Sequence, residues 1–270
     1  MPKRSAKQPF MYAHDPRGAT RLLYYNSIRI HNFIKKIRDG MVFANLQQNY
    51  ALVRERIEKA CSRSSRPVSD VRMVAVTKTH PAETVQALID MGITDIGENK
   101  VQEMEAKVPL LHGNYTMHMI GHLQTNKAAK AVALSGWIQS IDSVRLLEKV
   151  QTCAQTSNKK IRALVEVNTS GEPSKSGCTP DECYMLAERM VAGGILEFCG
   201  LMTVGPLGAS ETATRAAFQQ LKKLGEQCKG LSPVINLSMG MSLDFEWAIE
   251  EGATIVRIGS LLVGSRDYQK

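Results

Sequence analysis

Lys78 stands at the end of an apolar run, Val71-Arg72-Met73-Val74-Ala75-Val76-Thr77, whose β-branched content reads as a strand. A lysine carried there lays its stem inside or atop a core. Desolvation lowers the pKa of an amine, and a neutral amine is the form that attacks an aldehyde to give an imine. On burial alone, a lysine at the surface or paired with an acid is the commoner reading. The far end of the chain adds a second kind of chemistry. Ser238-Met239-Gly240 and Gly259-Ser260 each follow an apolar run and present hydroxyls and backbone N–H groups of the kind that cradle phosphate. Small residues there let the backbone approach anionic oxygens closely. Each loop by itself is an ordinary turn. An imine-forming lysine gains specificity beside them only if the fold brings the first and last strands together.

The pattern of the chain predicts that it does. From Val71 onward, short β-branched runs alternate with helical spacing, the mark of parallel βα units. Eight strands are expected: Val71 to Thr77, Thr94 to Gly97, Thr116 to Gly121, Trp137 to Ile141, Ala163 to Asn168, Glu197 to Thr203, Val234 to Ser238 and Thr254 to Ile258. Helices are expected between them, among them Pro81 to Met91 and Ser143 to Ala154, opened by Pro81, Asp142-Ser143 and Thr179-Pro180-Asp181. A further helix, from about Phe43 to Cys61, precedes the first strand with Leu46, Tyr50, Val53 and Ile57 on one face. The fold class is therefore α/β, a single-domain (β/α)8 TIM barrel with an extra N-terminal helix and a basic N-terminal extension. In such a barrel the chemistry sits where strands end, and the polar and glycine-rich segments fall there.

The 270 residues suit one such barrel of 41–270 preceded by an appendage of 1–40. The net charge of +8 raises the question of a nucleic-acid face. Residues 1–40 hold nine Lys or Arg against two Asp, which leaves only +1 for the other 230 residues. A near-neutral body predicts no nucleic-acid partner, and no apolar stretch is long enough to predict a membrane span. The appendage, with an amphipathic stretch from Leu22 to Arg38, has the composition of a flexible tail or of an organelle transit segment. Six cysteines at irregular spacing, without a C-x-x-C pair, fit free thiols in a reducing compartment.

Other polar residues carry weaker signals. His118 and His122 have the H-x-x-x-H spacing but fall on a strand and its loop without a third ligand, so no metal is expected. Glu98 reads equally as a general base or as a cap for the following helix, and Thr169 to Gly177 as a lid or a solvated loop.

Several motifs in order resemble one family. Ala75-Val76-Thr77-Lys78, Ile96-Gly97-Glu98-Asn99, Met119-Ile120-Gly121-His122-Leu123-Gln124, Gly200-Leu201-Met202-Thr203, Leu237-Ser238-Met239-Gly240-Met241-Ser242 and Val256-Arg257-Ile258-Gly259-Ser260 are similar to those of the pyridoxal phosphate homeostasis proteins. That family's barrel is like the N-terminal domain of bacterial alanine racemase. The resemblance runs from about Met41 to Tyr268. It implies that pyridoxal 5'-phosphate (PLP) is held as an imine on Lys78, with Ser238, Gly259 and Ser260 on the phosphate, Asn99 near the ring, and Met202 in the pocket lining. It places Arg257 at the pyridine nitrogen. The family commonly has Thr where Ser260 stands, and the hydroxyl donor is kept.

An arginine only donates, so opposite a ring nitrogen it favours the unprotonated ring, a poor electron sink. The resemblance thus implies a carrier in vitamin B6 homeostasis without strong catalytic activity, one that hands PLP to apo-enzymes. The alternative is an amino-acid racemase of the same fold. Two-base racemisation needs a second acid/base, which the racemase takes from an extra domain and a partner subunit, and here only about ten residues follow Gly259. A cytoplasmic monomer is expected, with a mitochondrial location as the alternative if residues 1–40 direct transit.

Overall fold

Eight short runs of β-branched and apolar residues close into a parallel barrel in chain order, each strand pairing with its sequence neighbours and β1 with β8. The structure is a computed structural model that describes residue 40 and residues 43–264. The stretch from Leu22 to Arg38, read above as a tail or transit segment, lies outside the described residues. Residues 46–264 form one compact unit, and of residues 1–45 only the helical residues at 40 and 43–45 are described.

The strands are β1 (Arg72–Val76), β2 (Asp95–Glu98), β3 (Thr116–Met119), β4 (Trp137–Ile141), β5 (Ile161–Glu166), β6 (Leu196–Met202), β7 (Asn236–Ser238) and β8 (Ile255–Ile258). A helix over 43–63, α1, precedes them. The crossovers carry α2 (Ala82–Asp90), α3 (Val101–Lys107), α4 (Ala128–Leu134), α5 (Val144–Thr156), α6 (Pro180–Ala192), α7 (Glu211–Gln227) and α8 (Phe245–Glu250), and α9 (Ser260–Val263) follows β8. The expected starts hold where side chains supply them. Ser143 accepts from Leu146 N at the head of α5, and Thr179 and Glu182 form a capping box on α6 with Pro180 in its first turn.

Two apolar layers result. The large one lies between strands and helices and includes Ile96, Met104, Ile138, Leu147 and Phe218. A smaller one, Val74, Trp137, Leu164, Cys199, Met202 and Ile255, fills the barrel interior. Strand β7 is shorter than the pattern suggested. Pro233 has no N–H for a ladder and Val234 is exposed, so pairing with β6 begins only at Asn236. Opposite it, Gly200 has φ +133° and a Cβ there would lie 2.1 Å from Asn236 O, so the close approach of β6 and β7 requires glycine.

Helix α1 lies alongside α8 on the outside of the barrel. Val53, Ile57, Ala60 and Cys61 are buried, Arg56 pairs with Glu246, and Arg63 pairs with Glu250. Asn49 Nδ2 donates to Leu262 O, which ties α1 to α9 next to the barrel mouth. Among the described residues no helix is long and apolar enough to cross a membrane.

Candidate functional site

Closure of the barrel puts Val74 of β1 beside Arg257 of β8 and Ala75 beside Ile258. The lysine at the end of the first strand and the loop after the last strand therefore share one rim. They line a cavity of about 410 Å3 at the C-terminal mouth, together with Asn99, Ser242, Arg257, Gly259 and Ser260. Val76, Ile120, Met241, Trp247 and Val263 supply its apolar wall.

The turn that carries Lys78 is fixed on both sides. Thr77 O accepts from Lys107 Nζ at 2.9 Å, and Thr79 N donates to Glu103 Oε2 at 2.6 Å. Thr79 adopts φ +69°, an uncommon conformation for a β-branched residue and a form of strain found at functional turns. Behind it, buried Glu98 accepts from Thr77 Oγ1 at 2.6 Å and Lys107 Nζ at 2.7 Å. Burial pushes the Glu98 carboxyl up, opposed by its bonds from Lys107 and Thr77. Of its two sequence readings, base or helix cap, neither describes this position. Glu98 is the buried anchor of the lysine turn.

Arg257 is buried on β8. Its Nη1 donates to Ser238 Oγ at 2.7 Å and its Nη2 to Thr203 O at 2.8 Å. Burial lowers its pKa to about 10, with Glu166 and Asp244 acting against that shift. It remains a cation at neutral pH. The loop after β7 turns at Gly240, φ +89°, where a Cβ would lie 2.5 Å from Ala248 Cβ. It returns Ser242 to the rim, and Ser242 Oγ accepts from Gly259 N at 3.3 Å and Leu261 N at 3.4 Å. Asp244 Oδ1 accepts from Met241 N and fixes the same loop.

Of the seven residues singled out from sequence, Lys78, Asn99, Arg257, Gly259 and Ser260 meet on the cavity wall. Met202 and Ser238 do not. Met202 ends β6 facing the interior layer, and Ser238 is wholly buried between Arg257 and Gln139. The sequence reading passed over Ser242 as a site residue, although the second serine of Ser-Met-Gly-Met-Ser lies beyond the glycine that reverses the chain. Buried Glu166, at the end of β5, was also missed. Burial raises its pKa to about 7, aided by Asp142 and opposed by Arg257, and its Oε2 has no hydrogen-bond partner among the described residues.

The two histidines part company. His118 is buried against Asp95 and Gln139, while His122 is exposed at the rim beside Asp142. The 168–178 loop is laced by Asn168, which accepts from Ser170 Oγ and Gly171 N, and Lys175 donates to Gly205 O.

An amine, a guanidinium, two hydroxyls and backbone N–H groups around an apolar wall suit a small anionic aromatic ligand with an electrophilic carbon. Asn99 fits that reading, because its Oδ1 is buried on this wall without a partner among the described residues. A polar atom left so is one a ligand can satisfy.

The family model of the alanine racemase N-terminal domain matches residues 44–267. The pyridoxal phosphate homeostasis protein of Homo sapiens is 39% identical over 252 residues, 86% of this chain and 92% of the relative. The protein of that name from Aquifex aeolicus is 37% identical over 83% of this chain and 100% of its own length. The solved structure of PipY from Synechococcus elongatus with PLP bound is 34% identical, with a TM-score of 0.69 over 78% of this chain and 100% of that one. Taken with the closed barrel and its lysine rim, these likenesses show that the chain belongs to the pyridoxal phosphate homeostasis protein family.

Proposed function

We propose that this protein binds PLP at the barrel mouth, with Lys78 as its covalent tether, and serves PLP homeostasis by keeping a reactive aldehyde sequestered until an apo-enzyme takes it. The observation that carries the reading is the clasp on Lys78. The residues before and after it are bonded to α3, so its stem leaves a fixed turn into a cavity that also holds a cationic Arg257.

When bound, the group supplies an electrophilic aldehyde and an electron-accepting ring. The residues divide the work of holding it. Ser260, Ser242 and the Gly259 backbone form the anion-binding end, beside β8. Arg257 serves the ring-nitrogen end, where a permanent cation donates a hydrogen bond without giving up its proton. Asn99 offers the orphaned Oδ1 to a ring substituent. Val76 and Ile120 exclude water from the face of the ring. Such a set favours retention over turnover, and release requires only that the Lys78 bond be reversed by water or by another amine.

Six free cysteines, five of them buried, support a reducing location, and we assign the protein to the cytoplasm, acting as a monomer. Residues 41–270 are the working domain in this reading and 1–40 an appendage.

The experiment is a transfer assay. Loaded protein is mixed with an apo-aminotransferase in the presence of a phosphatase that destroys free PLP. Activation that survives the phosphatase supports direct hand-over. Activation abolished by the phosphatase restricts the protein to buffering. A wild-type protein that takes up no PLP contradicts the reading as a whole.

A further inference from the structure

Behind the cavity wall a single file of hydrogen bonds crosses the barrel. Arg257 Nη1 donates to Ser238 Oγ at 2.7 Å, and Ser238 Oγ donates to Gln139 Oε1 at 2.7 Å. Gln139 Nε2 lies 2.9 Å from His118 Nδ1, and His118 Nε2 lies 3.0 Å from Asp95 Oδ1. Asp95 meets Arg72 at 3.3 Å, and these two residues open β2 and β1 at the end of the barrel opposite the mouth. Ser238, Gln139 and His118 have no exposed surface.

Every link in this file has a fixed direction. A guanidinium only donates, so the Ser238 oxygen must accept, and its own hydrogen has to find an acceptor further in. That requirement turns the Gln139 carbonyl toward Ser238 and its NH2 toward His118. His118 Nδ1 must then accept, which places the imidazole proton on Nε2, facing the Asp95 carboxylate. The opposite amide orientation leaves the Ser238 hydrogen without a partner in a dry interior, where an unmade bond costs on the order of 1–3 kcal/mol. The ring is also held flat against Trp137, with centroids 5.4 Å apart and 14° between planes. On the other arm of Arg257, Thr203 O fixes Nη2 while Thr203 Oγ1 donates to Val167 O at 2.7 Å.

We propose that Gln139 and His118 are positioning residues for the PLP site: acting through Ser238, they set the plane in which Arg257 presents its remaining N–H groups to the bound ring. The proposal rests on the reading of the cavity as a PLP site. Neither residue lines the cavity. An apolar filling like the neighbouring Val74, Leu164 and Ile255 would cost less than a polar file, which is why its unbroken direction points to a task at its end. The charged groups facing His118 are Asp95 from β2, Arg72 from β1 and Arg162 from β5, and burial holds the imidazole neutral against the pull of Asp95.

The test uses full-length protein and two variants, Gln139→Met and Gln139→Glu, with PLP as the probe. Nitrogen NMR of the wild type without PLP is expected to show His118 protonated on Nε2 alone at about pH 8, above the ordinary imidazole range. Gln139→Met is expected to accept PLP on Lys78 still, but with a Kd raised roughly tenfold and a displaced visible absorption band, because the Ser238 hydroxyl that anchors one arm of the guanidinium loses its own acceptor and is no longer held in place. Gln139→Glu cannot donate to Nδ1, so it recruits a proton to His118, and its bound spectrum is expected to depend on pH where that of the wild type does not. A wild-type His118 protonated on Nδ1 would overturn the inference. So would either variant with wild-type Kd and band, and in that case capture by Lys78 leaves the PLP reading standing. Absence of PLP uptake by the wild type removes both. Should Gln139→Met fail to fold, the isosteric Gln139→Glu and the wild-type tautomer decide.

Discussion

Lys107 Nζ lies 2.7 Å from Glu98 Oε1 and 2.9 Å from Thr77 O, with both side chains buried directly behind the turn that carries Lys78. One cation thus bonds one oxygen of a buried carboxylate and a strand-end carbonyl together, while Glu98 Oε2 has no partner among the described residues. Lys107→Met strands the Glu98 charge in the interior, and the expected loss of stability is about 3–5 kcal/mol. Lys107→Met combined with Glu98→Gln removes both charges and is expected to recover a large part of that loss. Urea unfolding of the two single variants and the double variant measures the coupling.

Gly121 bears on the opposite wall of the cavity. A Cβ at this position would stand 2.4 Å from Asn99 O, a backbone atom that cannot step aside alone. Gly121→Ala is therefore expected to displace Asn99, to destabilise the fold by roughly 1–3 kcal/mol, and to weaken PLP binding by more than its effect on stability accounts for. Thermal unfolding without ligand and a PLP titration separate the two effects. Unaltered affinity would show that Asn99 is not part of the site.

Glu166 gives the pH dependence a sign. Its folded-state pKa of about 7 lies above the ordinary glutamate value, so the folded chain holds a proton that the unfolded chain has released. Its contribution is fully present below about pH 4.5, falls as pH rises, and is lost above about pH 7. Glu166→Gln is neutral throughout. It is expected to stabilise the protein relative to wild type at pH 8 by up to roughly 3 kcal/mol and to change little at pH 5. Chemical denaturation of both proteins at the two pH values checks it, and an equal effect at both would contradict it.

Much of this site was legible before any fold was described, because its parts follow strands. Lys78 was visible as a polar residue ending an apolar run, and Gly259-Ser260 as small residues ending another. The parallel alternation was enough to make those two runs neighbours. What sequence hides is which way a side chain points once a strand bulges. Met202 and Ser238 carry the right chemistry at the right strand ends, yet the bulge at Gly200 and the turn at Gly240 send both inward and bring Ser242 to the rim. The Glu98–Lys107 anchor and the Gln139–His118 file join residues that lie 9 and 21 positions apart on different elements. No local pattern announces them. The shortened β7 follows from Pro233, a signal that was present but outweighed by the β-branched pair after it.

Lys78→Ala separates the tether from the fold. Lys78 is part-buried at a turn that Thr77 and Thr79 anchor to α3, so the variant is expected to stay folded, at a cost of about 1 kcal/mol, while losing stable PLP retention on gel filtration. A variant that still retains PLP after desalting would move the tether to another lysine.

The most direct measurement is borohydride reduction of the PLP-loaded protein followed by peptide mapping. Lys78 is expected to carry the reduced phosphopyridoxyl group at close to one per chain, with other lysines modified only in trace. A label spread over surface lysines, or one confined to a lysine away from the barrel mouth, would contradict the account.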